Sequence, residues 1–93
     1  MLHCILVKWK DGEGEERSRQ AELLFQQGTA LPGVKWIKTR RAVISGPNRC
    51  DLMICIEMER QDLAAFDASR LHQRWKDEFG PCIQQKTIFD CEA

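Results

Sequence analysis

Two runs of strict alternation dominate this chain and limit what it can become. Over residues 2–10, His3, Ile5, Val7 and Trp9 fall on one side of an extended backbone, with Cys4, Leu6, Lys8 and Lys10 on the other. Over residues 50–58, Leu52, Ile54, Ile56 and Met58 share one side, opposite Met53, Cys55 and Glu57. A helix would scatter these residues around its surface, whereas a pleated strand gathers them on one face. The first strand begins apolar on both faces, which predicts a central strand covered on both sides. Residues 34–44 read as another strand, and Lys35, Lys38, Arg40 and Arg41 mark it as an edge, where charge discourages further pairing. The turn cluster Ser45-Gly46-Pro47-Asn48 joins it to residues 50–58 as a hairpin. Residues 83–91 supply the last strand.

Helical signals fill the gaps. Asp11-Gly12-Glu13-Gly14 breaks the first strand, and a helix follows over residues 15–27, with Ala21, Leu24 and Phe25 as its buried stripe. A short helix over 61–67 carries Leu63 and Phe66. The next is bounded more sharply. Ser69 is placed to cap it, Gly80 to end it in a left-handed conformation, and Pro81 to forbid continuation. Between those signals Leu71, Trp75 and Phe79 recur at every fourth position, and His72 lies on the same side. The closing strand then brings Ile88 or Phe89 to that interior. The order β-α-β-β-α-α-β predicts a single α+β domain over residues 1–93, with helices on one face of an antiparallel sheet.

A chain of 93 residues buries only about 60–65% of its unfolded surface, so a second copy is a natural cover for leftover apolar area. Basic and acidic residues balance at 14 each, which gives no global pull toward nucleic acid or an anionic membrane. No apolar run approaches the roughly 20 residues that span a bilayer, and the start lacks a signal peptide's pattern. The five cysteines show no C-x-x-C spacing, which argues against a disulfide framework or a zinc site. Reduced thiols in a cytoplasmic protein, packed as small apolar groups, are the expectation. Neither a metal nor a cofactor is called for.

Taken in order, these residues resemble the stress-responsive A/B barrel (Dabb) domain, a branch of the dimeric α+β barrel proteins. The resemblance rests on the strand His3-Cys4-Ile5-Leu6-Val7-Lys8-Trp9-Lys10, the corner Leu31-Pro32-Gly33-Val34, the helix that carries His72, and the closing Ile88-Phe89-Asp90. It implies a ferredoxin-like fold, two copies of which pair their sheets into a barrel-shaped homodimer, and a pocket between each sheet and its own helices. In a plant polyketide cyclase of this kind, a histidine on the last helix is the general base and a tyrosine six residues earlier assists it. His72 matches the histidine. At the tyrosine position stands Phe66, and the chain has no tyrosine. The His-Pro-x-His segment of the family is also altered, to Ala68-Ser69-Arg70-Leu71-His72.

The candidate site follows from both readings. His72 is the candidate catalytic residue, either a base that takes a proton next to a carbonyl or a histidine that simply packs. The pocket is expected to be apolar and lined by His3, Ile5, Val7, Leu52, Ile54, Phe66, Trp75, Lys86 and Ile88 around His72. Lys86 shares a face with Ile88 and Asp90, where it would meet a substrate carboxylate, pair with Asp90, or snorkel outward. Cys4, Cys55 and Cys91 share the opposite sheet face. The basic group of Lys35, Lys38, Arg40, Arg41 and Arg49 reads as a solvated edge. Two functions fit: a barrel that binds a small apolar or carbonyl-containing ligand, or a cyclase, lyase or isomerase that uses His72. Haem or quinol oxidation has no sequence feature of its own here.

Overall fold

The alternation of residues 2–9 becomes β1 (Leu2–Trp9), in which every second residue is buried. The computed structural model of the chain describes residues 1–10, 12 and 14–93. The turn expected at Asp11-Gly12-Glu13-Gly14 includes residues 11 and 13, which lie outside the described residues. Helix α1 (Gly14–Gln26) follows and presents Ala21, Leu24 and Phe25 to the core. Strands β2 (Val34–Arg41) and β3 (Leu52–Met58) form the expected hairpin. Helices α2 (Leu63–Asp67) and α3 (Arg70–Arg74) precede β4 (Ile83–Cys91). The four strands run antiparallel in the order β2-β3-β1-β4, with β1 central and β2 at an edge. The expected architecture, an antiparallel sheet with helices on one face, is the one observed.

The core lies between that sheet and the helices. Ile5, Val7 and Trp9 from β1 and Leu52, Ile54, Ile56 and Met58 from β3 are buried. At its centre Trp75, 1% exposed, packs its ring 5.0 Å from Phe25, 5.2 Å from Phe79 and 6.2 Å from Trp9. Such edge and tilted arrangements add about 0.5–1.5 kcal/mol per pair beyond the area they bury. The one buried indole donor next to them is satisfied, since Trp9 Nε1 donates to Ser18 Oγ at 2.9 Å. Helix α1 is tied to the edge strand by Glu22, which accepts from Thr39 Oγ1 at 2.8 Å and from Arg41 at 2.6 Å. Arg41 holds the Glu22 carboxyl below the usual carboxylate range.

Several sequence expectations require correction. Strand β2 stops at Arg41, and the last bond across the hairpin runs from the Ala42 N–H to the Asp51 carbonyl, while the Asp51 N–H donates to the Val7 carbonyl and its side chain accepts from the Trp9 N–H. Val43 and Ile44 are left exposed in the connecting loop. The central strand is covered on one face only, and Leu2, Cys4, Leu6 and Lys8 remain half-exposed on the other. The closing strand joins the core through Ile83 at its start. Farther along, Ile88 is 44% exposed on the helix face of an edge strand, and Phe89, 60% exposed, falls with Cys4 on the open face.

The end of the His72 helix also differs. Ser69 caps α3 as expected, accepting from the His72 N–H at 3.2 Å. The helix then widens into a π turn over Trp75–Phe79 and tightens into a 3-10 turn over Gly80–Cys82, with Pro81 in its first turn. Gly80 is right-handed, at φ −48° and ψ −46°. The tighter turn ends the helix, so no left-handed cap is needed. Only Gly33, at φ 85°, takes the left-handed region among the described glycines, and a Cβ there would overlap the Asp62 side chain. A Cβ at Gly80 would meet open space.

These two glycines make a paired test. Gly33→Ala is expected to destabilise by roughly 1–3 kcal/mol through backbone strain and overlap, while Gly80→Ala leaves stability within about 1 kcal/mol of wild type. Urea unfolding of both variants checks this, and equal losses would refute the assignment of the helix end.

Candidate functional site

The antiparallel register of β1 and β4 places Asp90 directly across from His3, on the helix side of the sheet. The pair is joined at 2.5 Å between His3 Nδ1 and Asp90 Oδ1, and His3 is 5% exposed. With Nδ1 donating to the carboxylate, Nε2 is the ring nitrogen left for other partners. Lys86 lies four residues before Asp90 on the same strand face, about 13 Å away along an extended chain. That separation is why Asp90 pairs with His3 and not with Lys86. Lys86 has no ion-pair partner among the described residues.

His72 approaches from α3. Its Nε2 lies 3.7 Å from Asp67 Oδ1, and its Nδ1 is buried without a partner among the described residues. Burial pushes the His72 pKa below the ordinary histidine value. Asp67 opposes that shift, while Lys76, Lys86 and His3 reinforce it. The ring is therefore neutral at pH 7 and able to accept a proton. Phe66 packs against both imidazoles, its centroid 6.2 Å from His3 and 5.8 Å from His72, in T-shaped contacts.

Around these groups runs an open groove of about 460 Å³. His3, Ile5, Trp75, Lys86 and Ile88, all expected in the pocket, line it together with His72. Val7, Leu52, Ile54 and Phe66 do not; they are packed in the core beneath it. Leu63, Asp67, Lys76 and Asp90 complete the wall. Six of the ten lining residues ionise, so the groove is less apolar than expected. Lys76 follows His72 by one helical repeat and was findable from that spacing. Asp67 was not, because the break at Ala68 and Ser69 separates its helix from that of His72. A second groove of about 360 Å³ lies between α1 and the 42–51 loop. Its Arg41 and Asp51 are already committed to Glu22 and the Trp9 N–H. No group of three or more His, Cys, Asp or Glu among the described residues is arranged to hold a metal ion. No helix among them is long and apolar enough to cross a membrane.

No protein-family model and no curated protein matches the chain by sequence. Solved structures match it closely in fold. A Dabb family protein with a ferredoxin-like fold from Mesorhizobium loti is 10% identical, with 99% of this chain and 94% of that chain covered at a TM-score of 0.77. A dimeric ferredoxin-like protein of unknown function from Thermobifida fusca is 13% identical, covering 95% and 85% at 0.80. A hydroxynitrile lyase from Passiflora edulis is 14% identical, covering 95% and 87% at 0.76. The chain thus has the ferredoxin-like α+β fold of a Dabb-type domain.

The neutral His72 has a thermodynamic consequence. Its folded pKa lies below the unfolded value of about 6.5, so the unfolded chain gains a proton first as pH falls. The stability this ring permits is intact above about pH 6.5 and is lost as pH drops toward the lowered folded value. His72→Gln is expected to flatten the decline in melting temperature between about pH 7.5 and 5.5. An unchanged slope would mean that the ring is solvated.

Proposed function

We propose that the chain is a homodimeric Dabb protein, cytoplasmic, in which each subunit's groove binds a small organic ligand that carries a carbonyl and a negative charge. One observation carries the binding reading: the ammonium groups of Lys76 and Lys86, without ion-pair partners among the described residues, border a groove floored by Ile5, Trp75 and Ile88. Two free cations over an apolar floor complement an organic anion better than a neutral hydrocarbon. The dimer is supported by the helix-free sheet face, where Leu6, Met53 and the 60% exposed Phe89 form an apolar strip that a lone chain leaves in water. It is also supported by the dimeric protein that shares the fold.

A second reading is favoured by the state of His72. A neutral imidazole that lines the groove, with its Nε2 beyond hydrogen-bond distance of Asp67, is suited to take a proton from carbon next to a carbonyl, or from the hydroxyl of a cyanohydrin-like adduct. Lys86 would then offset the developing oxyanion. The hydroxynitrile lyase of the same fold supports chemistry of this kind. Phe66 supplies no hydroxyl, so any assisting donor must come from the lysines.

Two experiments separate these claims. Sedimentation at micromolar concentration is expected to give twice the 10.8 kDa chain mass, and Phe89→Glu to shift the species toward monomer. A wild type that sediments only as a monomer removes the dimer. In the second experiment, small carboxylates with and without a ketone are screened by thermal shift and the hits titrated by calorimetry. The Lys76→Gln/Lys86→Gln double variant is expected to bind about tenfold or more weakly, about 1.4 kcal/mol. Unaltered affinity would place the ligand elsewhere. If the chain is an enzyme, His72→Gln binds normally and turns nothing over.

A further inference from the structure

The open sheet face holds a second chemical feature, independent of the groove. Cys4 on β1 and Cys55 on β3 are direct partners in the antiparallel register. Their sulfurs are 3.0 Å apart, and both thiols are free and half-buried. The Met58 N–H donates to the Met1 carbonyl, at the position three residues before Cys4 in the same register. Hydrogen-bonded and non-hydrogen-bonded pairs alternate along such a ladder, so Cys4 and Cys55 occupy a non-hydrogen-bonded pair. Backbones at these pairs approach to about 4.5 Å between Cα atoms, within the span that a disulfide bridges. Closing the sulfurs from 3.0 Å to the roughly 2.05 Å of a disulfide is a shift of about 1 Å.

We propose that Cys4 and Cys55 form a dithiol site that a hydroperoxide reaches when the open face is not covered by a second copy, and oxidises reversibly to a disulfide across the β1–β3 ladder. Burial and the neighbouring Cys55 push the Cys4 thiol up to about 12, and in the proposed order the first sulfur–oxygen bond forms at Cys55. There the sulfur attacks the peroxide, the O–O bond breaks, and the departing alkoxide leaves as the alcohol with the proton from the Cys55 thiol. Cys4 then attacks the sulfenic sulfur. The S–S bond forms, the S–O bond breaks, and the hydroxyl leaves as water with the Cys4 proton. Two thiols lose two electrons, and the peroxide bond accepts them. A small thiol reverses the step by exchange. Cys91 shares this face but sits across from Leu2, with Phe89 as the direct neighbour of Cys4 on β4. Register therefore selects Cys55 over Cys91.

The test treats the full chain with a few equivalents of hydrogen peroxide and measures intact mass, free thiols and disulfide-mapped peptides. A loss of about 2 Da, a fall from the five thiols by two, and a peptide linking Cys4 to Cys55 are expected, all reversed by dithiothreitol. Oxidised protein is expected to melt higher, by about 5 °C or more, since the bridge closes a long loop. Cys4→Ser should stop at a dimedone-reactive sulfenic acid on Cys55, while Cys91→Ser oxidises as wild type does. A link that includes Cys91, a link between chains, or oxygen addition without the 2 Da loss would overturn the proposal. The wild-type peptide map decides this even if a serine variant folds poorly.

Discussion

The register between β1 and β3 is the constraint on which the remaining structure depends. It pairs Ile5 with Ile54 and Val7 with Leu52 beneath the helices, and by the same step pairs Cys4 with Cys55 and Leu6 with Met53 on the open face. A slip by one residue would exchange the two faces. It would expose side chains whose burial is worth about 1.5–3 kcal/mol each and would drive Lys8 into the Trp75 cluster. The register of β4 against β1 rests on the same strand and sets His3 opposite Asp90. Groove and thiol pair are thus both placed by the core, on opposite sides of one strand.

Within the groove, two imidazoles of the same intrinsic basicity are given different surroundings. His3 is held against the Asp90 carboxylate at 2.5 Å. His72 has its carboxylate at 3.7 Å, loses solvent through burial, and feels Lys76 and Lys86. Desolvation outweighs the Asp67 attraction, because a carboxylate beyond hydrogen-bond distance gives back only part of the hydration energy. Phe66 packs against both rings in T-shaped contacts, without a polar group of its own. The arrangement sets an anchored histidine on the sheet, an uncommitted one on the helix, and two cations at the rim.

The sheet and its covered face were legible in the sequence because a period of two leaves little freedom once Ile5, Val7, Leu52, Ile54 and Ile56 are placed. The His72 helix was legible at its start, where Ser69 caps it, and illegible at its end. A glycine before a proline suits both a left-handed cap and a 3-10 turn, and only the packing of Trp75 and Phe79 selects the latter. Six of the expected site residues meet in the groove, while Val7, Leu52, Ile54 and Phe66 lie under it. Sequence parity assigns a residue to a face but not to a position along it, and the groove opens only toward β4, where helical cover ends. Asp67 was hidden for a related reason, since it meets His72 across a chain bend that no periodicity encodes.

The face left open by the helices carries both the proposed dimer contact and the thiol pair, and this joins the two thermodynamically. If the dithiol and disulfide forms differ in their tendency to associate, then association must shift the thiol–disulfide equilibrium by the same free energy, as linkage requires. The sign follows from the residues. A bridge fixes Cys4 and Cys55 in one rotamer each and removes two weak donors from an apolar strip flanked by Leu6, Met53 and Phe89. A stiffened strip with fewer polar groups loses less entropy and less hydration on meeting its copy. On the two proposals taken together, oxidation would favour the dimer, and the dimer would in turn protect the disulfide.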